Sequence, residues 1–367
     1  LFLPLPVLAL YARSLPDYSP QMFGVAMGAY GLTQAIFQLP FGAWSDRIGR
    51  KPLITAGLAL FAIGSLIGAL AHSLVWVAIA RAVQGVGAVS AAVTALLADL
   101  TRSEVRTRAM AIVGISIGLS FVAALVLAPV LDARIGVPGI FVVMLGLALA
   151  GIAVLHLAVP AEPERHGGAD GRTLRELLQI AVRGDLAWLY FGIFALHFIV
   201  TSTFMSVPMV MRDELAIPSA EHSKVYLGVF LASIIGTVPL VMRTDRSAGA
   251  GALFLWAILL LGLSEALLGA DHLHLWAVLT ALTLFFAVFN YLEARLPALL
   301  TLAAGQAERG AALGVFSVAQ TLGIAAGGFV GGRLLAVFGN PGVFWGSAVM
   351  AVFWAALAGR TLGRPAK

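Results

Sequence analysis

The feature that most limits this chain is a series of apolar runs, each close to 20 residues long. A helix of about 20 residues, rising 1.5 Å per residue, spans the ~30 Å hydrocarbon core of a bilayer. Such runs occupy residues 22–45, 53–71, 74–97, 109–131, 139–159, 186–211, 225–242, 249–270, 275–302, 311–332 and 341–359. A shorter run at 1–12 precedes them, and the chain opens at Leu1 already inside it, so the first helix is expected to be incomplete. The expected fold is an all-α membrane protein with twelve transmembrane helices. Composition agrees, because only 11% of the residues are charged, whereas a soluble domain carries about 25%.

A polar stretch at 161–185 divides the runs into six and six. It holds Glu162, Glu164, Arg165, Asp170, Arg172, Arg175, Glu176 and Arg183, with Gly167 and Gly168 among them. It reads as a flexible linker followed by a short amphipathic helix at 174–182. The expected organisation is a six-helix bundle at 1–160, the linker at 161–185 and a second bundle at 186–367. A weak internal repeat supports two matching halves. Gly136, Pro138, Gly139 and Phe141 recur as Gly339, Pro341, Gly342 and Phe344, each at an offset of 203 residues. Both copies fall on the same side of the membrane, so the halves are parallel repeats about a pseudo-two-fold axis, with substrate expected at their interface.

Orientation follows from the basic residues. With the loop at Gly49 inside, 16 of the 23 Lys and Arg residues lie in inner loops and tail, five lie outside, and Arg81 and Arg295 lie within helices. That bias puts both termini in the cytoplasm. The net charge of +5 suits loops that face anionic headgroups better than it suits nucleic acid. The chain has no cysteine, hence no disulfide framework and no thiolate metal site.

The densest charge in the chain is the short loop between the second and third runs. Gly42, Ser45, Asp46, Arg47, Gly49, Arg50 and Lys51 stand within ten residues, followed by Pro52. Gly49 permits a turn and Pro52 suits the first turn of a helix. Two readings fit: a basic loop obeying the positive-inside rule, or a charge cluster that latches helical bundles together. Spacing alone does not choose between them. The pattern Gly42-x-x-Ser45-Asp46-Arg47-x-Gly49-Arg50-Lys51 resembles the loop 2–3 signature of the major facilitator superfamily, a family of secondary transporters with twelve membrane helices. The likeness runs along most of the chain and is closest to the proton-coupled drug antiporter branch, with YajR-like inner-membrane transporters within it.

The resemblance implies a bacterial inner-membrane transporter that takes small molecules and protons as partners, works as a monomer in the lipid bilayer and needs no cofactor or metal. It implies a relay of Asp46, Arg50 and Asp99 at the inner ends of helices 2, 4 and 11. The amino end of helix 11, near Gly310, would offer Asp46 a positive dipole. Arg81, with Gln84, Gly85 and Gly87, resembles the helix-4 signature, in which the arginine is implicated in proton coupling. Gly114, Gly118, Ala128 and Pro129 resemble a degraded helix-5 antiporter signature. The same helix contains Gly114-x-Ser116-x-Gly118, the spacing of a hydrolase nucleophile elbow, but that motif requires a strand-to-helix turn and here lies inside an apolar run.

Ionisable groups within the runs are few, and each costs roughly 2.5–3.5 kcal/mol at the bilayer centre on insertion scales. Glu293 lies nine residues before Leu302, about 14 Å from the helix end at 1.5 Å per residue and so near the midplane. It is the first candidate for a proton site, and Asn290 shares its face. His197 is also near mid-depth and can carry a proton near neutral pH; a packing histidine is the equal alternative. Gln34 and Gln38 stand one turn apart, facing a wet cleft or bonding between helices. Glu265 reads as interfacial, being five residues from its helix end. Phe194, Phe198, Phe286 and Phe289, with Gln34, Gln38 and Asn290, are the candidate cavity wall. An aromatic wall with few polar anchors suits greasy substrates. A sugar carrier of the same fold is the alternative, favoured if Gln34, Gln38, Gln84 and Asn290 converge on one polar pocket. A non-transporting receptor or scaffold is the alternative of another class.

Overall fold

The computed structural model describes residues 2–87, 89–160, 183–244, 249–271 and 273–362. These residues form eleven α-helices: α1 (Leu8–Ser14), α2 (Pro20–Ile48), α3 (Arg50–Ala69), α4 (Leu74–Val86), α5 (Ser90–Leu100), α6 (Ser103–Leu157), α7 (Gly184–Asp213), α8 (His222–Thr244), α9 (Ala250–Leu268), α10 (Leu275–Ala303) and α11 (Gly305–Leu362). The expected linker helix at 174–182 lies outside the described residues, as does the side chain of Asp46.

By length and composition, eight described stretches can cross a membrane. Two of these are doubled. α6 has 55 residues and α11 has 58, and a straight helix of that size would be over ~80 Å long, more than twice the core. Each is interrupted by a glycine of positive φ, Gly136 at +67° and Gly339 at +68°. A proline follows two residues later in both, preset for the first turn of a new helix. These are the paired positions of the sequence repeat. In α11 the chain folds back on itself, since a Cβ on Gly346 would lie 2.4 Å from Leu334 Cδ1. The run at 74–97 departs from expectation by breaking between α4 and α5. There Gly87 packs so closely on α3 that a Cβ would lie 2.4 Å from the Gly57 carbonyl oxygen.

α7 is the most enclosed span, with 89% of its apolar window buried. α11 packs on it from one side and on α2 from another. Both seams are built from glycine. A Cβ on Gly323 or Gly327 would strike the carbonyls of Phe194 or Phe198 on α7, at 2.3 and 2.5 Å. A Cβ on Gly328 would lie 2.4 Å from the Gly28 nitrogen on α2, and one on Gly24 would lie 2.5 Å from the Gly328 oxygen. Such contacts bring backbones together without a hydrophobic drive between helices. The α2–α11 seam joins the two halves at the end bearing Asp17 and Asp213. An Arg13–Asp213 ion pair between α1 and α7 closes the same end. Toward the Gly49 end the helices part: Gly42, Gly114, Gly118, Gly310 and Gly314 each face open space for 4 Å around a would-be Cβ.

Capping fixes the closed end. Ser19 Oγ accepts from the Met22 N–H at 3.2 Å, with Pro20 opening α2. Asp17, in the turn before it, accepts from the Leu74 and Val75 N–H groups at 2.6 and 3.1 Å and so caps α4 as well. Those donors, Leu74 first, hold the Asp17 carboxyl below its usual pKa. A depressed folded-state pKa contributes stability above the unfolded value, about 3.9; it is lost as pH falls through the folded value. Asp17→Asn is therefore expected to melt at a lower temperature at pH 7 and to lack the wild-type loss as pH falls below about 4, as read by thermal unfolding in detergent.

Candidate functional site

The centre of the molecule gathers three polar side chains from three helices. His197 on α7 has its Nδ1 3.2 Å from the Ile193 carbonyl oxygen one turn earlier, which assigns the proton to Nδ1. Nε2 is then the acceptor, and the Gln320 amide on α11 reaches it at 2.8 Å. The same amide nitrogen lies 3.5 Å from Glu293 Oε1 on α10. Glu293 Oε2 has no hydrogen-bond partner and stands 3.9 Å from His197 Nε2, too long for a hydrogen bond. The Glu293 side chain is 39% exposed, whereas that of His197 is 11% exposed. The Glu293 side chain is thus the more accessible of the two, although its Oε2 is itself buried.

Aromatic rings lie against this cluster. Phe289 is 6.3 Å from the His197 ring between centroids and stacks on Phe285 at 5.7 Å. It also stacks on Phe121 of α6 at 6.2 Å, and Phe121 meets Phe2 edge-on at 5.2 Å. Phe2 and Phe121 belong to the first half, Phe285 and Phe289 to the second, so the rings bridge the halves beside the polar trio.

Other expected residues go elsewhere. Arg81 is buried on α4, with Nη1 3.0 Å from Gln84 Oε1 and the guanidinium 4.6 Å above the Tyr30 ring. The Gln84 amide in turn donates to Ser65 at 2.9 Å. The ring quadrupole and an amide hold this charge, and among the described residues no ion pair joins it to Glu293. Gln38 donates to Ser317 across the two halves, and Gln34 lines a separate cavity of about 320 Å³ with Tyr30 and Phe61. Gln84 is fully buried with both amide ends engaged, by Arg81 and by Ser65, and neither it, Gln38 nor Asn290 lines that cavity. Phe286 is fully buried against Phe204 and Phe230 in the core of the second half, not on a cavity wall. Phe194 and Phe198 stack at 6.4 Å on α7, beside the α11 seam. Glu265 is wholly buried rather than interfacial, accepting from Thr203 Oγ1 at 2.8 Å. Ser116 donates to the Ile112 carbonyl inside α6 at 2.8 Å, which is helical back-bonding and not a nucleophile elbow.

At the Gly49 end the charge cluster ties α3 to α5. Arg50 Nε meets Asp99 Oδ2 and Nη1 meets Ser45 Oγ, both at 2.8 Å, while Lys51 Nζ donates to the Val159 carbonyl at 2.6 Å. Gly49 supplies the turn with φ +115°. Arg47 is exposed, and the expected approach of Asp46 to the helix end near Gly310 lies outside the described residues.

Sequence reasoning passed over Gln320, Ser317 and Phe121. The signal for Gln320 was present, as a lone amide inside the apolar run 311–332.

Comparison with known proteins agrees with this architecture. The family description "Major Facilitator Superfamily" matches residues 1–238 and 189–367. The inner membrane transport protein YajR of Escherichia coli is 39% identical over 98% of this chain and 79% of its own length. Multidrug resistance protein 1 of Bacillus subtilis is 23% identical over 90% of this chain and 84% of its own. Among solved structures, a D-xylose–proton symporter superposes with a TM-score of 0.75 over 97% of this chain and 92% of its own, at 19% identity. The chain belongs to the Major Facilitator Superfamily and is a multi-pass membrane transporter.

Proposed function

We propose that the protein is a proton-coupled exporter of small lipophilic compounds, working by alternating access in the bacterial inner membrane. The reading rests on one observation: the partly exposed side chain of Glu293 keeps a buried, unpartnered carboxylate oxygen 3.9 Å from a histidine. Two bundles, 1–160 and 186–367, rock about this point, joined by the segment 161–185. The basic loops put the Gly49 end in the cytoplasm, so the parted end faces inward and the glycine seam closes the outside.

The chemistry follows from the hydrogen bonds. Neutral His197 accepts from Gln320, which also leans toward Glu293. A proton arriving on Nε2 turns that acceptor into a donor, so the Gln320 amide can no longer face it. The new N–H points toward Glu293 Oε2, and the pair holds the proton between them. Substrate lodged against Phe289 and Phe121 covers the same open face of Glu293, so cargo and proton exclude one another. That competition makes antiport. The relative named for multidrug resistance and the engagement of Gln84 by Arg81 and Ser65 favour a greasy cargo over a sugar.

The test is transport into proteoliposomes of a panel of lipophilic cations under an imposed proton gradient. Uphill movement of at least one member that stops when the gradient is collapsed is expected. Movement of none, with intact folding, would favour a receptor or scaffold.

A further inference from the structure

α8 and α10 touch at one level and part at another. At mid-depth a Cβ on Gly236 would lie 3.1 Å from the Ala287 methyl, and Thr237 Oγ1 donates to the Ala287 carbonyl at 3.1 Å. Toward the Asp213 end the two helices diverge, and an open wedge of about 870 Å³ lies between them. Gly228 and Ala232 line one wall and Leu279 and Thr283 the other. Nothing stands within 4 Å of a Cβ built on Gly228, so that wall is uncovered. From Lys224 to Gly236 the wall runs about 18 Å at 1.5 Å per residue, close to one leaflet of a ~30 Å core.

The rim is polar. Lys224 Nζ lies 3.2 Å from Glu221 Oε1, and both side chains are well exposed. Trp276 stands exposed on the opposite wall at the same end, the level at which indole rings sit among headgroups. An exposed ion pair one helical turn apart is worth little, so each partner can be traded for another ion without loss. The wedge narrows to backbone contact at its foot, which leaves no room for a helix 10–12 Å across. A single hydrocarbon chain tapers with it.

We propose that this wedge binds one phospholipid with a zwitterionic headgroup. An acyl chain lies along the Gly228–Gly236 wall, the phosphate meets Lys224 and the headgroup ammonium meets Glu221. The site stands apart from the Glu293 cluster and does not depend on what the protein transports.

Native mass spectrometry of the detergent-purified protein, delipidated and then supplied with phosphatidylethanolamine, tests it. One retained lipid per chain is expected. Ala232→Phe, which fills the wedge from α8, and Thr283→Phe, which fills it from α10, are each expected to lower retention at least tenfold with elution volume unchanged. Lys224→Ala is expected to erase a preference of about tenfold for phosphatidylethanolamine over uncharged diacylglycerol. Full retention in a folded filled variant, equal retention of diacylglycerol by the wild type, or a dimer cross-linked through Lys224 would each overturn the proposal.

Discussion

Glu293→Gln is expected to abolish uphill transport while leaving downhill exchange of the same substrate in place. Glutamine keeps the size of the side chain and one acceptor oxygen, so the contact with Gln320 and the rings beside it survive. What goes is the carboxylate that shares the proton with His197. A gradient of one pH unit stores about 1.4 kcal/mol per proton, enough for roughly a tenfold substrate gradient. Wild-type vesicles should therefore approach tenfold accumulation per coupled proton, and the variant should stay near one. His197→Ala is expected to weaken coupling less, since Glu293, the more exposed of the two, keeps its carboxylate. A Glu293→Gln protein that still concentrates substrate would place the proton elsewhere in the molecule.

Gly328→Val should have the second largest effect, and on conformation rather than on chemistry. Its new Cβ would sit 2.4 Å from the Gly28 nitrogen and 2.6 Å from the Gly28 Cα, both backbone atoms that cannot rotate away. Restoring ordinary carbon contact near 3.5–4.0 Å requires α2 and α11 to separate by roughly 1 Å or more. Overpacking of this kind costs about 1–3 kcal/mol, a 5–150-fold shift between two states. The state with this seam closed is the one penalised. Because the chain has no cysteine, a single Ala325→Cys reports on the seam alone. Ala325 is buried there against Gly28 and Gly31. Its labelling by a membrane-impermeant maleimide from the Asp17 side should speed up 5–150-fold. Unchanged labelling in a folded variant would mean that the glycines are not what closes this end.

Much of the fold was legible because a bilayer imposes a length on every crossing. The two Gly-x-Pro sites were legible too, because the doubled helices need a residue of positive φ where they turn, and Gly136 and Gly339 are such residues. The break between α4 and α5 was not, because it depends on how closely α3 approaches Gly87. The polar trio was half visible. Glu293 and His197 stand out as ionisable groups in apolar runs, but their meeting through Gln320 depends on the rotation of three helices about their axes. Rotation also explains Glu265, which distance from the helix end placed at the interface and which faces Thr203 in the interior. Phe286 failed for the same reason, being turned into the core of the second half.

α7, α10 and α11 all belong to the second half, and α11 is bonded to α7 through Gly323 and Gly327 on a face separate from the one it shows to α2. On the proposed mechanism the contacts that change when the halves tilt are those between them, on α2, at Arg13–Asp213 and at Phe121, and not the α7–α11 seam. On that mechanism the side chains of the polar trio therefore ride together as one rigid cassette, and each cycle leaves their mutual geometry alone while changing which aqueous compartment has access to them.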